Sequence, residues 1–370
     1  MKEEGFDYNK IAVVFPKDSS AIFDANSKET FGGATVQMFL IANELNKYKD
    51  IDVTSLTVDF GRTDGEFVNG LKICNTFSKE DNIYVKIFKF HKAIQKTKPD
   101  VIIQHGLTLF SCLLPLYCKL FNIKFIYMFA HDVEVAGYYQ TSRKKAHFLK
   151  LLINYSDIII TQNKYQHNKI LDKYNIKTNI LYNGFPIVTS FNFKKEHILW
   201  VARCDKWKCP EKFIKLAFLN KQYKFVMICN ESAGNEEYYS HIKELVSAVS
   251  NLEFLSHLSE NEMAKIYQKS LLLINTSDDE GFPQVFIQAA MNKVPIISLN
   301  VNPDNFITKY KCGIVCDGNE MFMSDSIQNL LNNSQKYTQL SSNAYNYAKE
   351  NHDIVRNVEK LCKLMFVGGK

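Results

Sequence analysis

Short apolar runs recur along this chain with helical stretches between them, and the series occurs twice. The first series starts at Lys10-Ile11-Ala12-Val13-Val14-Phe15 and continues at 51–56, 101–103, 124–128, 157–160 and 178–181. Uninterrupted apolar runs of this length read as strands buried on both faces. Between the first two, Val36, Phe39, Leu40 and Leu45 recur at helical spacing. Asn183-Gly184-Phe185-Pro186 is a turn, and the polar stretch 189–196 reads as a linker. The second series runs through 197–201, 224–229, 252–255, 270–275, 294–298 and 313–316, and the tail 326–366 reads as helical with a break near Asn351 and His352. Strands that alternate with helices give a parallel, doubly wound sheet. The expected fold class is therefore α/β, with two Rossmann-like domains over 1–188 and 189–352.

Length and composition agree with two cores. At 370 residues, 46% hydrophobic and 23% charged, the chain is too long for one ordinary core and has the balance of a folded, water-exposed protein. The segment Met1–Lys10 is charged and has no apolar stretch, so no secretory signal is read there. The most apolar region, 101–128, is broken by Gln104, His105, Gly106, Lys119, Asn122 and Lys124. It reads as strand, helix and strand rather than a membrane span. Nine cysteines occur without a Cys-x-x-Cys pair, so no metal site is expected, and the thiols are expected reduced in a cytoplasmic setting. The net charge of +6 has three readings: a solvated lysine-rich surface, an anionic substrate, or an anionic membrane surface with the protein peripheral at its inner face. No basic run with interleaved aromatics is read, so no nucleic-acid partner is expected.

Ligands in such sheets bind beyond the carboxyl ends of the strands, so the loops there carry the candidates. After the strand at 270–275 comes Asp279-Glu280-Gly281-Phe282-Pro283, followed by a helix that carries Gln288 one helical stretch further along. Gly281 allows close backbone approach, Pro283 suits the first helical turn, and a helix N-terminus attracts phosphate. Glu280 can accept hydrogen bonds from sugar hydroxyls and Gln288 from ribose. The same residues would equally make an acid-capped helix. After the strand at 197–201, Arg203 and Lys208 supply two cations. Gly32 and Gly33, behind Phe31, open the first helix, and Ala130-His131-Asp132 follows the strand at 124–128. Asp132 could cap the segment after it. Neither a Gly-x-Gly-x-x-Gly dinucleotide turn nor a P-loop is present.

Glu280-Gly281-Phe282-Pro283 with Gln288 resembles the Glu-x7-Glu signature of the large family of retaining GT-B glycosyltransferases, with Gln at the second Glu position. Val201-Ala202-Arg203 with Lys208 is similar to the same family's Val-Gly-Arg and following lysine. The resemblance implies a GT-B fold with two domains facing a cleft, a last helix (353–370) that returns to the first domain, and a nucleotide-diphosphate sugar as donor substrate. It also implies that Arg203 and Lys208 hold the diphosphate, while Glu280, Gly281, Phe282, Pro283, Gln288, Gly32 and Gly33 bind the donor and His131 acts at the sugar. The expected activity is transfer of a sugar to a hydroxyl acceptor, a glycan or lipid-linked one, with retention and with neither cofactor nor metal. A same-fold nucleotide-sugar epimerase and a non-catalytic donor-binding subunit are the alternatives.

Overall fold

The structure is a computed structural model that describes residues 9–24, 32–107, 112–136, 143–232 and 234–366. Phe31 and most of the charged start lie outside the described residues. Contacts divide the chain into two units, 1–184 with 354–370, and 185–353.

In the first unit the order is β1 (Lys10–Val14), α1 (Ser20–Phe23), α2 (Gly33–Leu45), β2 (Asp52–Thr57), β3 (Phe67–Val68), β4 (Leu71–Asn75), α3 (Ile83–Thr97), β5 (Val101–His105), α4 (Leu114–Leu120), β6 (Lys124–Met128), α5 (Arg143–Tyr155), β7 (Ile158–Thr161), α6 (Lys164–Tyr174) and β8 (Asn179–Ile180). The second unit holds β9 (His197–Arg203), α7 (Pro210–Leu219), β10 (Lys224–Asn230), α8 (Glu236–Ser247), β11 (Leu252–Leu255), α9 (Glu260–Lys269), β12 (Ser270–Asn275), α10 (Gln284–Met291), β13 (Ile296–Ser298), α11 (Phe306–Lys309), β14 (Gly313–Val315), α12 (Glu320–Leu331) and α13 (Ser334–Asn351). Then α14 (Ile354–Phe366) returns to the first unit.

The first sheet has the order β3-β4-β2-β1-β5-β6-β7-β8 and the second β11-β10-β9-β12-β13-β14. In each, the chain starts in the middle, winds one way, and then restarts on the other side of its first strand. The reversal falls between β1 and β5 in one sheet and between β9 and β12 in the other. Those switch points are where the loops diverge and leave a crevice. The second sheet is parallel throughout. The first departs from the expected all-parallel sheet at its edge, where β3 pairs antiparallel with β4. Asn69 (φ 49°) and Gly70 (φ 81°) form the two-residue turn between them. Both turn residues must take positive φ to match the strand twist, which an Asn-Gly pair does readily.

The central strands are apolar on both faces because helices cover both. Ile11, Val13, Ile103 and Ile126 face one cluster with α2 and α14. Ala12, Ile102, Phe125 and Tyr127 face another, with Phe90, Ala93 and Ile94 of α3. In the second unit Trp200, Phe213 and Phe225 anchor the core. Its indole Nε1 donates to Thr276 Oγ1 at 2.9 Å, so the largest buried side chain leaves no polar atom unmatched.

Candidate functional site

In the second unit, β9 and β12 are neighbours and run parallel. Their carboxyl-terminal loops therefore emerge side by side at the switch point. Three bonds tie the loops together. Thr276 Oγ1 donates to the Lys208 carbonyl at 2.8 Å, Asp278 N donates to the Trp207 carbonyl at 2.9 Å, and Lys208 Nζ meets Glu280 Oε2 at 2.7 Å. Both charged side chains of the last pair are nearly buried, 11% and 13% exposed, so it is no ordinary surface ion pair.

Each partner is held on its other side. Glu280 Oε1 accepts from Ser277 Oγ at 2.7 Å and from Asn275 Nδ2 at 3.0 Å. The Lys208 ammonium lies 3.8 Å from the centre of the Trp207 ring, a favourable cation–π placement. Burial pushes the Lys208 pKa down, Glu280 works against that, and the positive charge of Arg203 adds to the lowering. Arg203 ends β9, is half exposed and pairs with Asp205 at 3.3 Å. Asp205 also accepts from Asn235 Nδ2 at 3.1 Å. Two cations of unequal freedom thus stand at one strand end: Lys208 locked and Arg203 open to solvent.

The rest of the predicted motif divides. Gly281 is half-buried. The Phe282 ring is buried, 5.1 Å from the rings of both Phe306 and His352, so only its backbone is left for a ligand. Pro283 sits one residue earlier than expected, at the N-cap of α10 rather than in its first turn. Gln288 is half-buried on α10, and its carbonyl accepts from Asn292 Nδ2 at 2.8 Å. Its amide is bonded to neither Lys208 nor Glu280.

The first-unit candidates lie in the loops after β1 and β6. Gly32 is the N-cap of α2, but its N–H already donates to Asp18 Oδ2 at 2.7 Å, and Thr35 Oγ1 donates to Asp18 Oδ1. Asp18, in the loop after β1, is a cap supplied from elsewhere in the sequence. It occupies the amide that the sequence reading assigned to a ligand. Gly33 is the first residue of α2. His131, not Asp132, takes the cap position of the short turn that follows β6. Asp132 instead accepts from Asn163 Nδ2 and Gln166 Nε2 at 2.9 and 2.8 Å.

The sequence reading passed over Glu134. It is buried, accepts a hydrogen bond from the Tyr127 hydroxyl at 2.8 Å, and accepts from the amides of Ala130 and His131 at 3.2 Å each. Burial raises its carboxyl from 4.5 to about 7. It shapes the loop that presents His131. Beside it, burial lowers His105 to about 4, and His105 Nε2 lies 2.8 Å from Gln162 Nε2 and 3.1 Å from the Phe129 carbonyl.

Comparison with known proteins identifies the fold and the two domains. Residues 31–187 match the family described as Glycosyltransferase Family 4, and residues 186–347 match Glycosyl transferases group 1. An O-antigen chain mannosyltransferase of Salmonella typhimurium is 24% identical over 203 residues, 47% of this chain and 56% of that protein. An uncharacterized glycosyltransferase of Methanocaldococcus jannaschii is 25% identical over 216 residues, 57% of this chain and 60% of that one. The chain thus spans a little over half the length of these curated relatives. Among solved structures, Anabaena HepE in complex with UDP and glucose superposes with a TM-score of 0.75 at 14% identity, over 97% of this chain and 99% of that one. The fold is that of the GT-B glycosyltransferases, and the chain is built as a Glycosyltransferase Family 4 domain followed by a group 1 domain.

Proposed function

We propose that the chain transfers a sugar from a nucleotide-diphosphate donor to a hydroxyl of a glycan or lipid-linked acceptor, with retention at the anomeric carbon. The setting proposed is assembly of a cell-surface polysaccharide or glycolipid, in keeping with the O-antigen relative. The Lys208–Glu280 pair at the switch point of the second sheet carries this reading.

The chemistry follows from what each group can do. When the bond between the anomeric carbon and the phosphate oxygen breaks, negative charge grows on the leaving diphosphate. A fixed cation there stabilises the transition state more than the bound substrate. Lys208 is such a cation: an ammonium carries three donors, and the bond to Glu280 takes one. Arg203 adds a forked contact suited to phosphate oxygens. Glu280, held by Ser277 and Asn275, orients sugar hydroxyls. No carboxylate is assigned as a covalent nucleophile. The acceptor hydroxyl attacks from the face the phosphate leaves, and the departing phosphate oxygen takes its proton. The reading assigns the electrostatic work to these side chains rather than to a metal. His131, Gly33 and the Gly32 backbone carbonyl are retained as sugar-contacting candidates of the first unit.

A thermal-shift screen of UDP-, GDP- and ADP-sugars comes first, since a ligand bound only by the folded state raises Tm by mass action. A donor so identified is then turned over with EDTA present, and the products are analysed. Free nucleotide with a longer glycan of unchanged anomeric configuration is expected. A 2-epimerised sugar would instead indicate the epimerase, and binding without turnover the donor-binding subunit. Lys208→Met should lower kcat by about a hundredfold or more, the scale of one lost charge-stabilising donor. If Lys208→Met and Glu280→Gln both keep full turnover and donor binding, the site assignment is wrong.

A further inference from the structure

Charge is segregated in this chain. Residues 83–124 contain seven lysines and a single acidic residue, Asp100, a net +6 equal to that of the whole protein. Everything outside this segment therefore sums to zero. The sequence reading found no basic run with interleaved aromatics, yet 83–98 is one: five lysines with Tyr84, Phe88 and Phe90 and no acidic residue.

The structure makes this run α3, started by Asn82, whose Oδ1 accepts from the amides of Tyr84 and Val85 at 3.1 Å. Its inner face buries Phe90, Ala93 and Ile94. The first half of its outer face is apolar, and Lys92, Gln95 and Lys96 are exposed beyond it. Tyr84 is 81% and Phe88 57% exposed, with Ile83 and Ile87 beside them. On one flank the His91–Tyr117 hydrogen bond at 2.8 Å and the 6.0 Å approach of the His91 and Phe121 rings set the end of α4 alongside. That end adds Leu120, 78% exposed, and Lys119. On the opposite flank Lys89, Lys92 and Lys96 line a basin of about 270 Å³ with Asp64, Asn75 and Thr76. Asp81 and Asp64 hold Lys89 and Lys96 at 2.7 and 2.8 Å. Lys92 stands 4.6 Å from the Phe88 ring centre. Contiguous exposed apolar surface with a rim of cations marks an interaction site. A helix with bulky apolar residues beside lysines matches the interface of an anionic bilayer. Exposed Ile83, Ile87 and Leu120 favour lipid over nucleic acid, because aliphatic side chains offer nothing to phosphates and do not stack on bases. No helix among the described residues is long and apolar enough to cross a membrane, so contact here would be in the plane of the interface.

We propose that the α3–α4 face of the first unit docks on an anionic membrane surface. Tyr84, Ile87, Phe88 and Leu120 enter the headgroup layer, and Lys92 and Lys119 meet lipid phosphates. This rests on the proposed function only in giving a lipid-borne acceptor a place to be met. Vesicle binding is read without donor or turnover, so the two proposals fail separately.

The test is co-sedimentation of the full chain with vesicles of phosphatidylglycerol and phosphatidylcholine, against phosphatidylcholine alone, at low and high salt. Binding is expected only to the anionic vesicles and to weaken with salt. Lys92→Glu with Lys119→Glu should weaken it by about tenfold or more, given roughly fivefold per cation near such a surface. Tyr84→Ser with Phe88→Ser should weaken it at high salt as well as low. All four side chains are on the surface, so an unchanged Tm certifies the fold. Lys265→Glu, an exposed site on α9, should bind as the parent does. Equal loss with Lys265→Glu would reduce the effect to bulk charge and overturn the proposal. So would unchanged binding in both double variants, or α3-dependent binding to a single-stranded oligonucleotide with none to vesicles.

Discussion

At the scale of single residues, the chain separates groups that titrate from groups that hold charge. Glu134, raised from 4.5 to about 7, binds a proton more readily folded than unfolded. The stability it contributes is fully present below pH 4.5 and is lost as pH rises through 7. His105 and His197, each lowered from 6.5 to about 4 by burial, do the opposite: their contribution is present above 6.5 and is lost as pH falls through 4. The slopes partly cancel in the wild type, and one substitution uncovers them. Glu134→Gln keeps the acceptor for the Ala130 and His131 amides and removes the proton. Its Tm relative to wild type should climb between pH 4.5 and 7 and level off above; melts across that range check it, and a flat difference would mean that Glu134 titrates normally in the fold. Spacing alone placed Lys208 and Glu280 in loops after strands, where they lie, and Arg203 just beyond a strand that in the structure runs on to include it. It could not show that Lys208 and Glu280 touch, or that Thr276, Ser277 and Asn275 hold them. The Lys208–Glu280 and Lys208–Thr276 contacts need two distant strands to be neighbours; the Ser277 and Asn275 bonds to Glu280 are local but depend on the exact turn of the loop. Asp18 escaped because it acts on Gly32 and Thr35, which the fold brings to it, whereas the partners of Glu134 are local and its burial under the loop is what spacing does not show.

At the scale of elements, strands were the most legible because both faces are buried. An unbroken apolar run survives as a signal when no solvent face dilutes it. The strands at 124–128, 252–255 and 270–275 fall on the expected residues. The edge hairpin was missed although Asn69-Gly70 announces it, since β3 has two residues and too little pattern to see. Helix α3 was passed over although Phe90, Ala93 and Ile94 recur at helical spacing; exposed Ile83, Tyr84, Ile87 and Phe88 widen the apolar stripe of its first half. The connection after β8 shows what one glycine can fix. Gly184 donates to Gln37 Oε1 at 2.8 Å, and its carbonyl accepts from Gln37 Nε2 at 3.2 Å. A Cβ at Gly184 would come within 2.8 Å of Ile354 Cα. That neighbour is helix backbone and cannot step aside. Gly184→Ala should therefore cost about 1–3 kcal/mol, the usual scale of overpacking. The measurement is calorimetric unfolding, with hydrogen exchange quickened along α14; unaltered exchange there would show that the helix is not seated by this glycine.

At the scale of the molecule, the first unit is discontinuous. Its core includes Ile354, Val358, Leu361, Cys362 and Met365, all from α14. A buried side chain of this size stabilises by about 1.5–3 kcal/mol, so the five together rival the 5–15 kcal/mol that holds a typical domain folded. Truncation after Asp353 should unfold the first unit and leave the second with its own cooperative transition. The fragment 185–353 alone should fold and keep the Lys208–Glu280 pair. Calorimetry of both settles this, and a first unit that still melts cooperatively without α14 would contradict it. The second unit enters and leaves at one place: Phe185 and Asp353 form a parallel bridge, and Phe185 N donates to the His352 carbonyl at 2.7 Å. During synthesis, then, the usual order of domains is inverted. The ribosome makes most of the first unit early, but that unit lacks a wall until the whole of the second has been translated. The second can close on its own while the first waits with α2 uncovered. A nascent chain of this design spends its most exposed interval with the earlier-made half unfinished.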